Sequence, residues 1–379
     1  MTEIKDRVYK CIFSDFESIN KLINSDELLK RLYTCSALNR LQFVYQQGIT
    51  AKLNTQHNLV KYYGHRPIFR YEHSIGVSLL AYYFCQKAKL SDYETKKQMI
   101  IGLLHDISHI AFSHVADSVF GEQYHEVHRE EIIKKNKELY ELLLEVEKEK
   151  KYNIDLERDI LHDESDSKLI KAKNPHINCD RLDYFLRDGH LTGVFSLLEV
   201  SKILQHVNLS LESGILYFDD INYAKLFYDR TFSIAADNWN GAESIIPIGL
   251  FTQVIQHATK EKVISKEDLI NKKDDEIFET LKTNYSKEIN IIVNQQYSTI
   301  VRSNEIELPF LKHTYYYIYI NDAKLRVLDP LVKYETEYKK LSELSDRVDG
   351  NKKHYEKEIR NKLKFIVIFD EKQKIFETK

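Results

Sequence analysis

Between Ile100 and His114 the chain reads IIGLLHDISHIAFSH, an apolar run that closes by presenting His105, Asp106, His109 and His114. Imidazole nitrogen and carboxylate oxygen together suit borderline divalent ions such as Mn, Fe, Co, Ni or Zn. Two such ligands at one helix end need partners from elsewhere, and the chain offers His73 in FRYEHSIGV and Asp180 in INCDRLDYFLRD. A set of His73, His105, Asp106 and Asp180 leaves positions open for water or a phosphate oxygen. The His-Asp pair alone carries little weight, because Leu161-His162-Asp163 repeats the LHD tripeptide amid charges with no apolar helix leading into it. That second copy reads as solvated surface. The first is followed by His109, His114 and Asp117, and so many titratable groups at the edge of a core mark a site more often than a packing accident.

Periodicity predicts the elements that must hold these residues. Apolar spacing from Asp26 to Gln47 and from Tyr71 to Leu90 predicts two helices, separated by a loop with Gly64 and Pro67. Ser91 to Glu94, SDYE, has the form of a capping box, so a third helix starts near Ser91 and runs into the His-Asp pair. In INCDRLDYFLRDGHLTG, helical geometry puts Asp180, Tyr184 and Asp188 on one face and Leu182, Phe185 and Leu186 on the other. Residues 130–173, dense in Lys and Glu, read as a charged insertion carrying an exposed amphipathic helix, ELYELLLEVEKEKK. VNLSLESGILYFD suggests a hairpin over about 207–218 turning at Ser213-Gly214, and Tyr223 to Thr283 returns to helical periodicity. The runs HTYYYIYIND, KLRVLDPLVKY and NKLKFIVIFDE are β-branched and aromatic, which predicts a small α/β subdomain over 284–379 beside a helical domain over 1–283.

A chain of 379 residues can bury a core without disulfides or metal staples, and with only 11 Gly and 5 Pro it has few breakers for a turn-rich β architecture. The expected fold class is mainly α. A formal net charge of -3 gives no global pull toward nucleic acid or an anionic membrane, so an anionic substrate must be held by a local cluster. Cys11, Cys35, Cys85 and Cys179 lie far apart with no CxxC, which argues against a zinc ribbon or disulfide framework and fits a reducing compartment. With no signal-peptide stretch and no membrane-length apolar run, a cytoplasmic protein is expected.

RYEHSIGV, LLHDISHIAFSH, YHEVH and CDRLDYFLRD, in this order, resemble the motifs of the HD-domain phosphohydrolase superfamily. More narrowly they resemble its dNTP triphosphohydrolase branch, which holds the eukaryotic SAM-and-HD-domain enzyme and bacterial dGTPases; no SAM domain is read ahead of the motifs here. The match runs from about Asp26 to Thr283, and four motifs in series are far more specific than any one. The resemblance implies a helical HD core and places metal ligands at His73, His105, Asp106 and Asp180. It places phosphate contacts at Arg70 and His109, a general acid at His125 with Glu126 orienting it, and sugar contacts at Tyr184 and Asp188. The implied reaction uses a divalent ion and water to split a dNTP into deoxynucleoside and triphosphate, with Mg on the phosphates. Neighbouring Lys and Arg residues would neutralise the polyphosphate. The resemblance also implies a homo-oligomer, tetramer or hexamer, with nucleotide activators, and tail strands that serve assembly. Control of dNTP pools and defence against phage both follow from such chemistry. In the eukaryotic relative a Gln-Leu pair helps reject the ribose 2′ hydroxyl; here the pair is Gln46-Gln47, which leaves deoxy against ribo preference open.

Each assignment has a plainer rival. His114 and Asp117 can stitch the loop after the helix or take part in catalysis; His128 competes with His125; Arg70 can pair with Glu72 or Asp106; Tyr184 can be a core aromatic. A phosphodiesterase or nucleotidase would use the same ligands and release a monophosphate or orthophosphate, and the DYFLRD arrangement favours the triphosphohydrolase. A catalytically idle nucleotide sensor is disfavoured by the complete ligand set, and no basic stripe with interleaved aromatics supports nucleic-acid binding.

Overall fold

A computed structural model describes residues 6–14, 16–54, 66–121, 124–150, 152–162, 167–173, 176–302, 315–320, 326–360 and 365–370. The fold is mainly helical, with two small sheets. Its centre is the antiparallel pair Arg70–Lys87 and Asp92–Leu104, against which Cys179–Leu191 packs. Ser91 Oγ accepts from Glu94 N at 3.2 Å, and Asn178 Oδ1 accepts from Arg181 N at 2.7 Å, so both latter helices start on a side-chain cap.

The predicted helix over Asp26 to Gln47 is broken into Glu27–Thr34, Ser36–Arg40 and a short 3-10 turn, Leu41–Phe43. Cys35 is extended, with ψ 154°, and the break is held from a distance: Glu138 accepts from Ser36 N at 2.9 Å. Gly64 of the following loop lies outside the described residues. The charged stretch 130–173, expected as an insertion with an exposed helix, instead adds to the core. Its helix Lys137–Glu149 buries Leu139, Leu142, Leu143 and Val146 in the same cluster as Leu103 and Leu104, its charged side facing out. His162, in the second LHD, is half exposed and pairs with Glu157.

β1 (Val207–Leu209) and β2 (Leu216–Phe218) pair antiparallel around a turn in which Gly214 takes a φ of +69°. The tail does not form one sheet. β3 (Ser298–Arg302), β4 (Tyr315–Ile320) and β7 (Phe365–Asp370) make an antiparallel sheet in the order β3-β7-β4. β5 (Leu331–Tyr334) and β6 (Glu337–Lys340) instead extend the hairpin, with β5 parallel to β2, giving the order β1-β2-β5-β6. This mixed sheet therefore joins residues from both sides of the 283/284 division.

Two hydrophobic clusters form the interior. One gathers the N-terminal helices, the central pair, Cys179–Leu191 and the hairpin; the other gathers Ile110 to Tyr124 and the helices between Ala242 and Val293. The segment after Leu104 crosses from the first, through Ile107, to the second, at Ile110. The His-Asp pair thus stands on the seam. Among the described residues no helix is long and apolar enough to cross a membrane, and all four cysteines are free.

Candidate active site

Asp106 lies in the turn that follows Asp92–Leu104, with His105 capping the helix, and buried guanidinium groups hold this turn from two sides. Arg129 donates to the carbonyls of Leu104 (2.6 Å), His105 (2.7 Å) and Ile160 (2.6 Å), which gives the orphan carbonyls of the helix end their partners. Arg40 donates to the carbonyls of Ile107 (3.2 Å) and His109 (2.5 Å). Burial pushes each of these two guanidinium groups down to about 10, still charged at neutral pH. At the far end, Phe112 adopts a φ of +47° and its N–H donates to Asp274 Oδ1 at 3.0 Å. Asp274 Oδ2 accepts from Tyr45 N at 2.9 Å, so one carboxylate clamps this turn to the loop carrying Gln46.

Four groups converge at the seam. His73 Nε2 lies 3.2 Å from His105 Nε2, 3.2 Å from Asp180 Oδ1 and 3.7 Å from Asp106 Oδ2. His105 Nε2 is 3.5 Å from Asp106 Oδ1 and 3.6 Å from Asp180 Oδ1. His73, His105 and Asp106 offer ligand atoms all within 4.8 Å of one another, and Asp180 closes on both imidazoles. The other ring nitrogens fix the tautomers: His105 Nδ1 donates to Gly102 O and His73 Nδ1 to Asp183 Oδ2, both at 2.8 Å. Two Nε2 atoms then face each other with their lone pairs, an arrangement that requires a cation between them or a proton on one. Burial disfavours charge on His73, yet Asp180 and Asp183 outweigh it and raise its pKa to about 10. Burial likewise pushes Asp106 and Asp180 up, and the surrounding imidazoles, with Arg70 on Asp106, hold both lowered. The donor set fits a divalent cation.

Behind His73 the network continues inward. Asp183 takes bonds from Arg187 Nε (3.0 Å) and Nη2 (2.9 Å), and Arg187 Nη2 reaches Asp6 at 2.8 Å, all three side chains sealed from solvent. Gly76 makes this approach feasible, since a Cβ there would lie 1.9 Å from Asp183 Oδ1.

In front of the cluster opens a cavity of about 390 Å3, lined by His73, Asp106 and Asp180 together with Arg70, His109, His125, Glu126, Tyr184, Asp188 and Gln46. Of the four cluster residues, His105 sits behind this lining. Arg70 donates to Asp106 at 2.7 Å, while Glu72 pairs instead with Arg7 and Arg66. His109 Nε2 lies 3.3 Å from Asp106 Oδ2, and burial, with Arg70 next, holds its pKa well below the usual imidazole range. His125 stacks on His109 at 4.0 Å, whereas His128 stacks on Tyr124 and pairs with Glu131, away from the cavity. Glu126, expected to orient His125, stands 4.0 Å from its Nε2 and is more than half exposed, beyond hydrogen-bonding distance. Asp188 Oδ1 and Gln46 Oε1 are buried with no hydrogen-bond partner among the described residues, and burial pushes the Asp188 pKa up to about 7. His114 and Asp117 fall on Ser113–Phe120, but their side chains lie outside the described residues.

Several residues at the site went unassigned in the sequence: Asp183, Arg187 and Asp6 behind the cluster, Arg129, Arg40 and Asp274 around the turn, and Trp239 and Arg326 in the cavity wall. Asp183 and Arg187 carry a local signal, standing one helical turn from Asp180 and Tyr184.

Residues 70–176 match the HD domain family, a stretch that includes His73, His105 and Asp106. A relative in Bacillus subtilis, the uncharacterized protein YdhJ, is 29% identical over 85% of this chain and 89% of its own length. The metal-dependent phosphohydrolase cns2 of Cordyceps militaris is 24% identical over 81% of this chain and 80% of that protein. The fold is shared with a hypothetical protein from Aquifex aeolicus (TM-score 0.61, 18% identity, 90% and 92% of the two chains covered). It is also shared with a phosphohydrolase from Bacteroides thetaiotaomicron VPI-5482 (TM-score 0.60, 17% identity, 90% and 95% covered).

Proposed function

We propose that this protein is a metal-dependent phosphohydrolase that splits the bond between phosphorus and the 5′ oxygen of a nucleotide. The convergence of His73, His105, Asp106 and Asp180, with Arg70 and His109 beside them at the floor of one cavity, carries this reading. A divalent ion held by the four would polarise a phosphate oxygen and supply an activated water. Arg70 would hold a second phosphate oxygen, and His125 would give a proton to the departing 5′ oxygen. Asp188, with an oxygen unpartnered among the described residues, would accept from a sugar hydroxyl beside Tyr184.

The cavity's charge bears on how many phosphates the substrate carries. Among the described lining residues the guanidinium groups are Arg70 and Arg326, no lysine is present, and the carboxylates are Asp106, Glu126, Asp180, Asp188 and Glu243. Beyond Arg70 and Arg326, no further Lys or Arg expected to neutralise a polyphosphate is among the described lining residues. A nucleoside monophosphate, giving nucleoside and orthophosphate, suits this balance, and we place it first. Release of triphosphate from a dNTP, which the sequence motifs imply, is the second reading, supported by the Asp183-Tyr184…Asp188 spacing on the cavity helix.

One assay separates them. The protein is incubated with Mn or Mg and each nucleoside mono- and triphosphate, ribo and deoxy, singly and in mixtures, and the phosphate products are resolved by ion chromatography. Orthophosphate from monophosphates, lost in Asp106→Ala, is the expected outcome. Intact triphosphate from a dNTP would establish the second reading, and no metal-dependent product from any nucleotide would sink both.

A further inference from the structure

The outer wall of the cavity holds two residues to which neither the metal cluster nor the proton transfer gives a task. Trp239 ends a π-helical segment, Ile234–Trp239, that joins the helices Ile221–Ser233 and Ala242–Lys260. Such wide turns displace side chains from helical register and recur at functional sites. Trp239 packs edge-on to Tyr184 with centroids 5.5 Å apart and leans on Phe185 at 4.9 Å. The guanidinium carbon of Arg326 stands 5.0 Å from the indole centroid. Both residues line the cavity, and among the described residues Arg326 enters no ion pair. An arginine brought from beyond β4 to lie on an indole, paired with no carboxylate among the described residues, offers a planar cationic surface.

The order of the rings outward from the cluster supplies the second observation. Tyr184 stands 6.4 Å from the His73 ring, and Trp239 lies one ring further out, with Arg326 on it. A phosphate at the cluster and a sugar alongside Tyr184 bring the third part of a nucleotide, its base, against Trp239 and Arg326. We infer that Arg326, backed by Trp239, is the surface on which a planar heteroaromatic base of the substrate stacks. This rests on the reading of the site as a nucleotide hydrolase and names what that reading left open: which residues tell a nucleotide from another phosphate ester. Stacking on a guanidinium or an indole takes any base, so the surface selects for the presence of a base and leaves its identity to groups at the rim.

Trp239 is the single tryptophan of the chain, so fluorescence excited selectively at tryptophan reports on this wall. With EDTA present to prevent turnover, the full-length protein is titrated with AMP, CMP and ribose 5-phosphate. The nucleotides are expected to change the emission and ribose 5-phosphate to leave it unchanged. In steady-state assays with Mn, Arg326→Ala is expected to raise KM for AMP about tenfold with kcat held, and to leave KM for ribose 5-phosphate unaltered. Arg326→Gln, closer in shape, is run beside it with thermal melting, so that loss of folding is not read as loss of recognition. An equal rise in KM for ribose 5-phosphate would give Arg326 to the phosphate and overturn the inference; so would an unchanged KM for AMP in both folded variants. The two readings fail separately. Emission changes without hydrolysis of any phosphate ester would remove the hydrolase and leave the stacking surface. Hydrolysis with equal kcat/KM for AMP and ribose 5-phosphate would do the reverse.

Discussion

The helix Cys179–Leu191 contributes to two walls around His73, and their polar groups are arranged in opposite ways. Behind Nδ1, Asp183, Arg187 and Asp6 bind one another with side chains shut off from solvent. In front of Nε2, the buried Asp188 Oδ1 and Gln46 Oε1 have no hydrogen-bond partner among the described residues. Burying a polar atom without a partner costs about 1–3 kcal/mol, so the fold gains nothing from the front wall as it stands. Among the described residues Arg187 Nη1 of the back wall also lacks a partner, so what sets the front pair apart is that both residues line the cavity.

Removing what both walls share should have the largest effect. Asp106→Ala deletes a cluster carboxylate and the partner of Arg70, and is expected to abolish both Mn binding in calorimetry and turnover; retained tight binding would place the metal elsewhere. Next come changes that should affect one wall only. Asp183→Asn is expected to weaken metal binding about 10- to 100-fold through the orientation of His73. Asp188→Asn is expected to leave metal affinity unchanged and raise KM. If Asp188→Asn weakened the metal as much as Asp183→Asn, the distinction between the walls would collapse.

A smaller effect is expected at Asp274, which joins the loop of Gln46 to the turn of His109. Asp274→Asn leaves one of the two buried N–H groups without an acceptor and should cost about 1–3 kcal/mol in urea unfolding. The same residue predicts a pH dependence. Burial raises its pKa from 3.8 to about 7, with the N–H groups of Tyr45 and Phe112 and the charge of Arg70 pulling it down and Asp275 pushing it up. Between those values the folded protein holds a proton that the unfolded chain has lost, so this contribution to stability falls as pH rises through the window. The asparagine variant should show a flatter profile from pH 4 to 7. Smallest of all, Gln47→Leu is expected to shift the ratio of kcat/KM for deoxy over ribo substrates upward by about tenfold or less, which would sharpen the role of the front wall in sugar choice.

Legibility in the sequence followed the distance between partners. The His-Asp pair ends an apolar helix that starts at a capping Ser91, and Asp180, Tyr184 and Asp188 repeat at helical spacing, so both could be read from neighbours in the chain. The groups that hold them could not. Arg187 meets Asp6 and Tyr45 N meets Asp274 across separations of 181 and 229 residues, which no local pattern announces. The break at Cys35 was hidden for the same reason, its stabilising carboxylate being Glu138, and the amphipathic helix within 130–173 was legible while the packing of its apolar stripe into the core was not. The tail strands were visible as strands, but the pairing of β5 with β2 depends on the whole chain.

The pieces of the cavity are also separated in time. Asp180 is the last of the four cluster residues to leave the ribosome, and at roughly 5–20 residues per second Arg326 follows on the order of ten seconds later. A nascent chain therefore has every ligand for an ion well before it can present the cationic face on Trp239, and premature binding of a metal during synthesis would occur at a site not yet able to choose what it hydrolyses.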